Sequence, residues 1–299
     1  MCGIVGLFAK TKTIEPQLGQ YLSKMLVEMA ERGPDSTGFA LYRSSAQPEQ
    51  IKISVAQDGK GVVWQQVADG LAASCGSSIE VNAHGSQAIL KGAISAGDAS
   101  AWLNENYPNV RIDSIGQYIE IYKDVGRPNE VTARFNLASL SGRHAIGHTR
   151  MATESAVTVA GSHPFSTGFD QCLVHNGSLS NHNRLRLWLQ RQGIIFQTDN
   201  DSEVAAGYLA YQLKSGLTLK QSLEKALEDL DGFYTFCIGT ADGFAVLRDP
   251  IACKPAVLAE TDDWVAMGSE YRALAMLPGI ENARVWEPEP ATVYAWSHS

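Results

Sequence analysis

The chain has 299 residues, of which 44% are apolar and 19% are charged, and this composition excludes a mostly disordered protein. Its 32 acidic residues outnumber the 24 lysines and arginines, which gives a net charge of −8. An acidic surface argues against nucleic acid or an anionic membrane as the main partner. No apolar run in the sequence approaches the ~18 residues that a membrane-spanning helix requires.

The cysteines indicate the redox environment. They are Cys2, Cys75, Cys172, Cys237 and Cys253. An odd number without a C-x-x-C pair argues against a disulfide framework or a thiolate zinc site. The first residues also lack the basic segment and long apolar segment of a signal peptide. We therefore expect a cytoplasmic protein.

The first 57 residues predict a strand, a helix and two further strands. CGIVGLF, at 2–8, is typical of a short buried strand. Apolar residues then recur at helical spacing from Leu18 to Met29, which predicts an amphipathic helix that Gly33 and Pro34 terminate. TGFALYR and IKISVAQ predict two strands joined by a polar turn.

Residues 58–140 predict a small α/β layer, because helical and strand patterns alternate there. The predicted helices lie near 62–73, 98–106 and 128–138, and the predicted strands lie near 87–92 and 115–122.

From residue 143 the pattern changes to short strands bounded by Gly, Asp or Pro. Helices interrupt these strands near 179–192, with Ser178 as the predicted N-cap, from Asp201 onward, and near 218–230. Groups of strands separated by helices predict sheets whose outer faces are covered by helices.

Cys2 directly follows the initiator methionine. If Met1 is cleaved, one residue carries both a thiol, with an ordinary pKa of ~8.5, and an α-amine, with an ordinary pKa of ~7.7–8.0. The amine can then take the proton of the thiol and activate it as a nucleophile. A chance cysteine in a buried strand is the alternative that this residue alone leaves open.

Four further motifs place polar groups at strand or helix ends. Each also has an ordinary structural interpretation as a turn, a salt bridge or a cap. In RGPDSTG, Arg32 follows the first helix, and in GHTRMAT, Arg150 offers a fork suited to a carboxylate. In HNG, Asn176 and Gly177 supply two donors that can converge on an oxyanion. In DNDSE, one aspartate is expected to cap a helix and another can hold an ammonium group.

Together these motifs resemble the class II glutamine amidotransferase domain, a group of N-terminal-nucleophile hydrolases. The resemblance covers about 1–45 and 143–299 and rests on nine motifs in the family's order: MCGIVG, RGPDSTG, GHTRMAT, HPF, HNG, DNDSEV, LDGFYTF, RDPIACKP and GSEYRAL. It implies an α+β fold of four layers, αββα. The whole chain, 1–299, is then one amidotransferase domain, and 58–140 is expected to be an inserted α/β subdomain.

The resemblance implies a role for each matched residue. Cys2 is the expected nucleophile, with its α-amine as the general base and then the acid. Asn176 and Gly177 are expected to form the oxyanion hole. Substrate binding falls to Arg150 and Thr153 for the carboxylate of glutamine and to Asp201 for its ammonium.

Other matched residues are expected to support the site. Arg32 is expected to order the region of the nucleophile, and His163 to have a structural role. His148 and His175 are expected to fill strands. Met151 and the pair Glu154-Ser155 depart from the residues that many relatives carry, so the rim of the pocket is less well defined than its centre.

Within the family, the chain resembles the free-standing amidotransferase subunits of glutamate synthase-like and N-methylglutamate synthase systems. We find no phosphoribosyl, sugar-isomerase, ATP, dinucleotide or iron–sulfur motif, so no cofactor is expected. L-glutamine is the expected substrate, separate synthase subunits are the expected partners, and a homo-oligomer is compatible with the sequence.

The alternatives are a stand-alone glutaminase and a non-catalytic scaffold that keeps the fold. An N-terminal-cysteine amidase of another type shares Cys2 but is not expected to contain RGPDSTG and GHTR together.

Overall fold

The fold is built on two stacked antiparallel sheets. The computed structural model describes residues 2–44, 47, 49–57, 59, 61–152 and 156–298. Within these residues, the first sheet has seven strands, in the order β15 (Arg284–Trp286), β13 (Val257–Glu260), β14 (Trp264–Gly268), β1 (Gly3–Ala9), β8 (His144–Arg150), β2 (Ser36–Tyr42) and β7 (Ile119–Val125). The second has five, in the order β16 (Thr292–Ser297), β12 (Gly243–Arg248), β11 (Gly232–Thr240), β10 (Gln171–Leu179) and β9 (Phe165–Gly168).

An apolar core joins the inner faces of the two sheets. Ile4 and Ile146 of the first sheet pack in one cluster with Val174 and Phe244 of the second. Successive residues of a strand point to opposite faces, so the alternate residues of the first sheet pack outward. There they meet α1 (Leu18–Glu28) and α4 (Pro128–Arg134).

Helices also cover the outer face of the second sheet. They are α5 (His182–Arg191), α6 (Asp201–Lys214) and α7 (Leu219–Asp229), which share an apolar cluster with β10, β11 and β12. The layer order is therefore helix, sheet, sheet, helix, which confirms the predicted four-layer α+β fold. None of the helices in the described residues has the length and apolarity that crossing a bilayer requires.

A third sheet packs beside this sandwich and has its own apolar core. Among the described residues it has four strands, in the order β4 (Ile79–His84), β5 (Gln87–Gly92), β3 (Ile51–Gln57) and β6 (Val110–Gly116). The helices α2 (Trp64–Cys75) and α3 (Ala96–Asn106) pack in the same core.

The bounds of an inserted subdomain remain a proposal. The sequence predicts it at about 58–140, whereas β7 belongs to the first sheet and α4 packs against the outer face of that sheet. Sheet membership therefore supports bounds near 51–116.

Buried ion pairs attach the third sheet to the first. Lys52 of β3 lies 2.8 Å from Glu120 of β7, and Asp113 of β6 lies 3.0 Å from Lys123 of β7. All four side chains are at least nine-tenths buried. Removing one member of such a pair leaves an uncompensated buried charge, so these contacts fix where the third sheet sits.

Three local predictions are wrong. The predicted strand at 115–122 is two strands, β6 and β7, because the Asp170 carboxylate accepts the backbone N–H groups of Gln117, Tyr118 and Ile119 and holds a turn there. Ser178 lies within β10, opposite Phe233, and α5 begins only at His182. The cap of α6 is Asn200 rather than an aspartate, since its side chain accepts the Ser202 N–H.

Two helical glycines provide a test of the packing of α1. A Cβ at Gly19 would lie 2.2 Å from Leu137 O and 2.4 Å from Leu140 O, whereas a Cβ at Gly97 in α3 would be 4.0 Å from its nearest neighbour. We expect Gly19→Ala to lower the free energy of unfolding by about 1–3 kcal/mol through overpacking. Gly97→Ala should raise it by about 0.5–1 kcal/mol, because alanine favours a helix. Urea denaturation measures both, and a gain in stability for Gly19→Ala would contradict the packing.

Candidate active site

The inner faces of the two sheets bring Cys2 and Asn176 together. Cys2 precedes β1, in which Gly3 pairs with Thr149 of β8. Asn176 lies on β10 of the facing sheet, and its Nδ2 donates to the carbonyl oxygen of Cys2 at 3.1 Å. The stacking of the sheets therefore unites two of the predicted site residues, which lie 174 residues apart in the chain.

The thiol of Cys2 is set up to ionise near neutral pH. Its Sγ lies 3.8 Å from the carbonyl oxygen of Met151. Burial raises the pKa of the thiol. The hydrogen bond and charge of His148, together with a backbone hydrogen bond at Met151, lower the pKa by more than burial raises it. The resulting pKa of Cys2 is about 7, which is low for a thiol and typical of a reactive cysteine.

His148 orients the side chain of Asn176. Its Nε2 lies 3.2 Å from the carbonyl oxygen of His175 and 3.3 Å from Asn176 Oδ1. A carbonyl can only accept, so Nε2 carries the proton and also donates to Oδ1. The amide of Asn176 is thereby turned with Nδ2 toward Cys2. His148 thus contacts both chemical groups of the site, which the sequence analysis did not predict.

Arg32 holds the backbone of Cys2. Its Nε donates to the carbonyl oxygen of Cys2 at 3.0 Å, and its Nη1 lies 2.6 Å from Glu270 Oε1. The guanidinium is therefore engaged with the nucleophile's own peptide group. This placement agrees with an ordering role for Arg32.

Arg150 and Ser36 lie opposite each other on adjacent strands of the first sheet. The guanidinium of Arg150 is largely buried and contacts the carbonyl oxygen of Ala156 at 3.5 Å. The backbone of Ala156 thus lies against this cation. Thr153, the second predicted contact for the substrate carboxylate, and the departing pair Glu154-Ser155 lie outside the described residues.

Asp201 begins α6, beside the end of β10. Its Oδ2 accepts the Leu179 N–H at 2.9 Å, and its Oδ1 lies 3.8 Å from His175 Nδ1. The carboxylate is partly exposed, with 22% of the side chain accessible. It can therefore receive an ammonium group while its position is fixed by the backbone.

Gly177 cannot be replaced without strain. Its φ is +141°, and a Cβ there would lie 1.9 Å from the carbonyl oxygen of Phe233. Glycine therefore lets β10 pass Phe233 closely at the site.

Ser202 joins two buried histidines that the sequence analysis treated separately. Its Oγ lies 2.9 Å from His163 Nε2 and 2.9 Å from His175 Nδ1. His163 also stacks on His148, with ring centroids 4.0 Å apart. Burial lowers the pKa of both His163 and His175, which keeps these rings neutral. They position the start of α6 against His148 rather than carry charge.

In the part of the chain that the structure describes, no group of three or more His, Cys, Asp or Glu side chains could hold a metal ion.

The pKa of Cys2 gives a testable pH dependence. The fraction of thiolate, and with it the alkylation rate by iodoacetamide, should rise through a midpoint near pH 7. His148→Gln removes a charge and a hydrogen bond that lower this pKa, so the midpoint should rise by about one unit or more. Peptide mass mapping of Cys2 against pH measures the midpoint. His84→Gln, in β4 of the third sheet, is the control and should leave the midpoint for Cys2 unchanged. An unchanged midpoint in His148→Gln would contradict the role of His148 in lowering the pKa of Cys2.

Comparison with known proteins shows similarity along the whole chain. Residues 148–276 match the family described as "Glutamine amidotransferase domain". The chain is 56% identical over 299 residues to "Glutamine amidotransferase-like protein GlxB" of Rhizobium meliloti, with 100% of this chain and 99% of that protein covered.

More distant relatives share part of their length with this chain. An amidophosphoribosyltransferase of Methanocaldococcus jannaschii is 32% identical over 167 residues, which cover 55% of this chain and 36% of that protein. The solved structure of glutamine phosphoribosylpyrophosphate amidotransferase of B. subtilis aligns with a TM-score of 0.60, and the alignment covers 98% of this chain and 47% of the B. subtilis chain. At 22% identity, this last similarity concerns the fold.

Proposed function

The chain belongs to the class II glutamine amidotransferases, enzymes that hydrolyse the side-chain amide of glutamine, and we propose that Cys2 is its nucleophile and that a separate synthase subunit receives the ammonia. The observation that carries the site assignment is the contact of Asn176 Nδ2 with the Cys2 backbone, at 3.1 Å across the two sheets. It places an amide donor beside a thiol whose pKa is about 7.

Glutamine binds between two fixed charges in this proposal. Its carboxylate takes the guanidinium of Arg150, which offers a planar pair of donors. Its ammonium takes the partly exposed carboxylate of Asp201. The side-chain amide then extends toward Cys2 and Asn176.

The α-amine of Cys2 acts as the base. With Met1 removed, the amine takes the thiol proton, and the thiolate adds to the amide carbon of glutamine. The tetrahedral intermediate collapses when the α-ammonium returns this proton to the leaving nitrogen, so that the carbon–nitrogen bond breaks and ammonia departs. A γ-glutamyl thioester remains. Water, deprotonated by the same amine, cleaves the thioester to glutamate and restores the thiol.

Asn176 and Gly177 stabilise the negative oxygen of the intermediate. Nδ2 of Asn176 and the backbone N–H of Gly177 are the two donors, and the closeness of β10 to Phe233 fixes the Gly177 peptide. In the described structure the two Nδ2 hydrogens go to the Cys2 carbonyl oxygen and to Ser269 Oγ, so in this proposal Nδ2 exchanges one of these hydrogen bonds for one to the oxyanion as charge develops.

A second polypeptide is the proposed acceptor of ammonia. All nine motifs of the sequence belong to the amidotransferase half of such systems, and one relative matches the chain along its entire length. We propose a cytoplasmic complex of the glutamate synthase or N-methylglutamate synthase type. Affinity purification from the source cells, followed by mass spectrometry, tests this. Recovery of a synthase-like subunit supports the complex, whereas an isolated chain with full glutaminase turnover favours a stand-alone glutaminase.

Removal of the nucleophile tests the catalytic assignment. Cys2→Ala should abolish glutamine hydrolysis without a large loss of thermal stability, because Cys2 is only partly buried. Glutamate release measures activity. The matched control is Cys253→Ala. Cys253 is an exposed cysteine, and its replacement should keep wild-type turnover. Retained turnover in Cys2→Ala would exclude the proposed mechanism, and an inactive wild-type chain with a bound partner would favour the scaffold.

Loss of one oxyanion donor should act on the chemical step. Asn176→Ala is expected to lower kcat by about 10²–10³ while KM changes much less, because the interaction strengthens only in the transition state. Steady-state kinetics with glutamine separate the two constants. A rise in KM at constant kcat would instead assign Asn176 to substrate binding.

A further inference from the structure

Ser269 and Glu270 directly follow β14, at the end of the first sheet where Cys2 lies. The Ser269 N–H donates to the carbonyl oxygen of Ile4 at 2.9 Å, and the Ile4 N–H donates to Ser269 Oγ at 2.9 Å. One residue thus holds both backbone groups of Ile4. The segment that carries Cys2 cannot slide along β14 without breaking both hydrogen bonds.

Ser269 also reaches the second sheet. Asn176 Nδ2 lies 3.3 Å from Ser269 Oγ and 3.1 Å from the carbonyl oxygen of Cys2. Ser269 and Asn176 are almost completely buried. A serine oxygen has two acceptor lone pairs, so Oγ can receive the Ile4 N–H and the Asn176 amide together. This hydroxyl therefore links the strand of the nucleophile to the proposed oxyanion donor.

Glu270 acts on the other side of Cys2. Its Oε1 lies 2.6 Å from Arg32 Nη1, and its Oε2 lies 2.7 Å from Arg272 Nε. Arg32 in turn donates through Nε to the carbonyl oxygen of Cys2 at 3.0 Å. That oxygen consequently receives one hydrogen bond from Arg32 and one from Asn176.

We propose that Ser269 and Glu270 form a positioning pair that sets the Cys2 peptide and the Asn176 amide in register for amide hydrolysis, an inference that rests on the proposed roles of Cys2 and Asn176. Neither residue needs to touch glutamine. Ser269 sets the distance between the two groups, and Glu270 fixes the guanidinium that holds the Cys2 carbonyl. Misplacement of a reacting group by about 1 Å can cost 10²-fold in rate, so such a pair acts on kcat.

Glu270 also balances charge beside the nucleophile. The guanidinium of Arg32 lies against the Cys2 peptide, and its positive charge favours a thiolate and a neutral α-amine. The Glu270 carboxylate offsets that charge. Its hydrogen bond from Arg32 lowers the pKa of Glu270, which keeps it ionised around neutral pH. Removal of this charge should therefore lower the pKa of both groups of Cys2, an effect that a purely structural role would not produce.

Glu270→Gln in the full chain tests the pair. We expect kcat for glutamine to fall about 10- to 100-fold with little change in KM. The pH midpoint for alkylation of Cys2 should move to lower pH. Glu270→Asp keeps the negative charge and should return the midpoint toward the wild-type value. Wild-type kcat together with a wild-type midpoint in Glu270→Gln would overturn the proposal.

Glu260→Gln is the matched control. Glu260 ends β13 at the opposite end of the first sheet and makes a similar partly exposed ion pair, 2.8 Å from Lys10. It should leave kcat and the midpoint unchanged. Equal effects of the Glu260 and Glu270 variants would show a general loss of stability and overturn the positioning role.

Ser269→Ala provides an independent test. It removes the acceptor of Ile4 N–H and Asn176 Nδ2, and we expect kcat to fall while 6-diazo-5-oxo-norleucine still labels Cys2. Wild-type kcat in this variant would overturn the role of Ser269. Labelling of the wild-type chain separates the proposed function from the positioning pair. A wild-type chain that has lost Met1 but is not labelled contradicts the proposed function itself. A labelled wild-type chain whose Ser269 and Glu270 variants keep full kcat contradicts the positioning pair alone.

Discussion

The site depends on the register of one strand, β1, between β8 and β14. Gly3 pairs with Thr149 on one side, and Val5 pairs with Gly268 on the other. A shift of one residue in a sheet turns every side chain to the opposite face. Here such a shift would take Ile4 out of the core between the sheets. The apolar packing of the sandwich therefore also fixes where Cys2 lies.

A small buried polar network replaces the apolar core at this end of the sandwich. His148 and Ser269 each contact Asn176, and Arg32 shares the Cys2 carbonyl with it. Buried polar groups are costly when unpaired, so a network in which each member has partners restricts the geometry as a unit. An amide donor held close to the nucleophile and a thiol with a lowered pKa are both suited to amide hydrolysis. The apolar packing of the two sheets holds the backbone of the site in place, and the polar network orients the groups that are proposed to react.

The sequence predicted features that depend on local periodicity or on motif order. The strand of Ile4, the helix from Leu18, the four-layer fold and the glutamine amidotransferase family are all confirmed. Features that depend on contacts distant in the chain were not predictable. The turn at Gln117 requires Asp170, 53 residues later, and Arg32 meets Glu270 across 238 residues. GSEYRAL signalled the importance of that segment, but no spacing in the sequence shows that Ser269 and Glu270 approach Cys2.

Reaction of the purified chain with 6-diazo-5-oxo-norleucine, followed by intact mass and peptide mapping, tests the central claim most directly. The account predicts a single adduct on Cys2, in a chain from which Met1 has been removed, with Cys75 and Cys253 unmodified. That result requires an activated thiol and a pocket that accepts glutamine, and it does not depend on a partner for turnover. A processed, folded chain that carries no adduct on Cys2 would contradict the account.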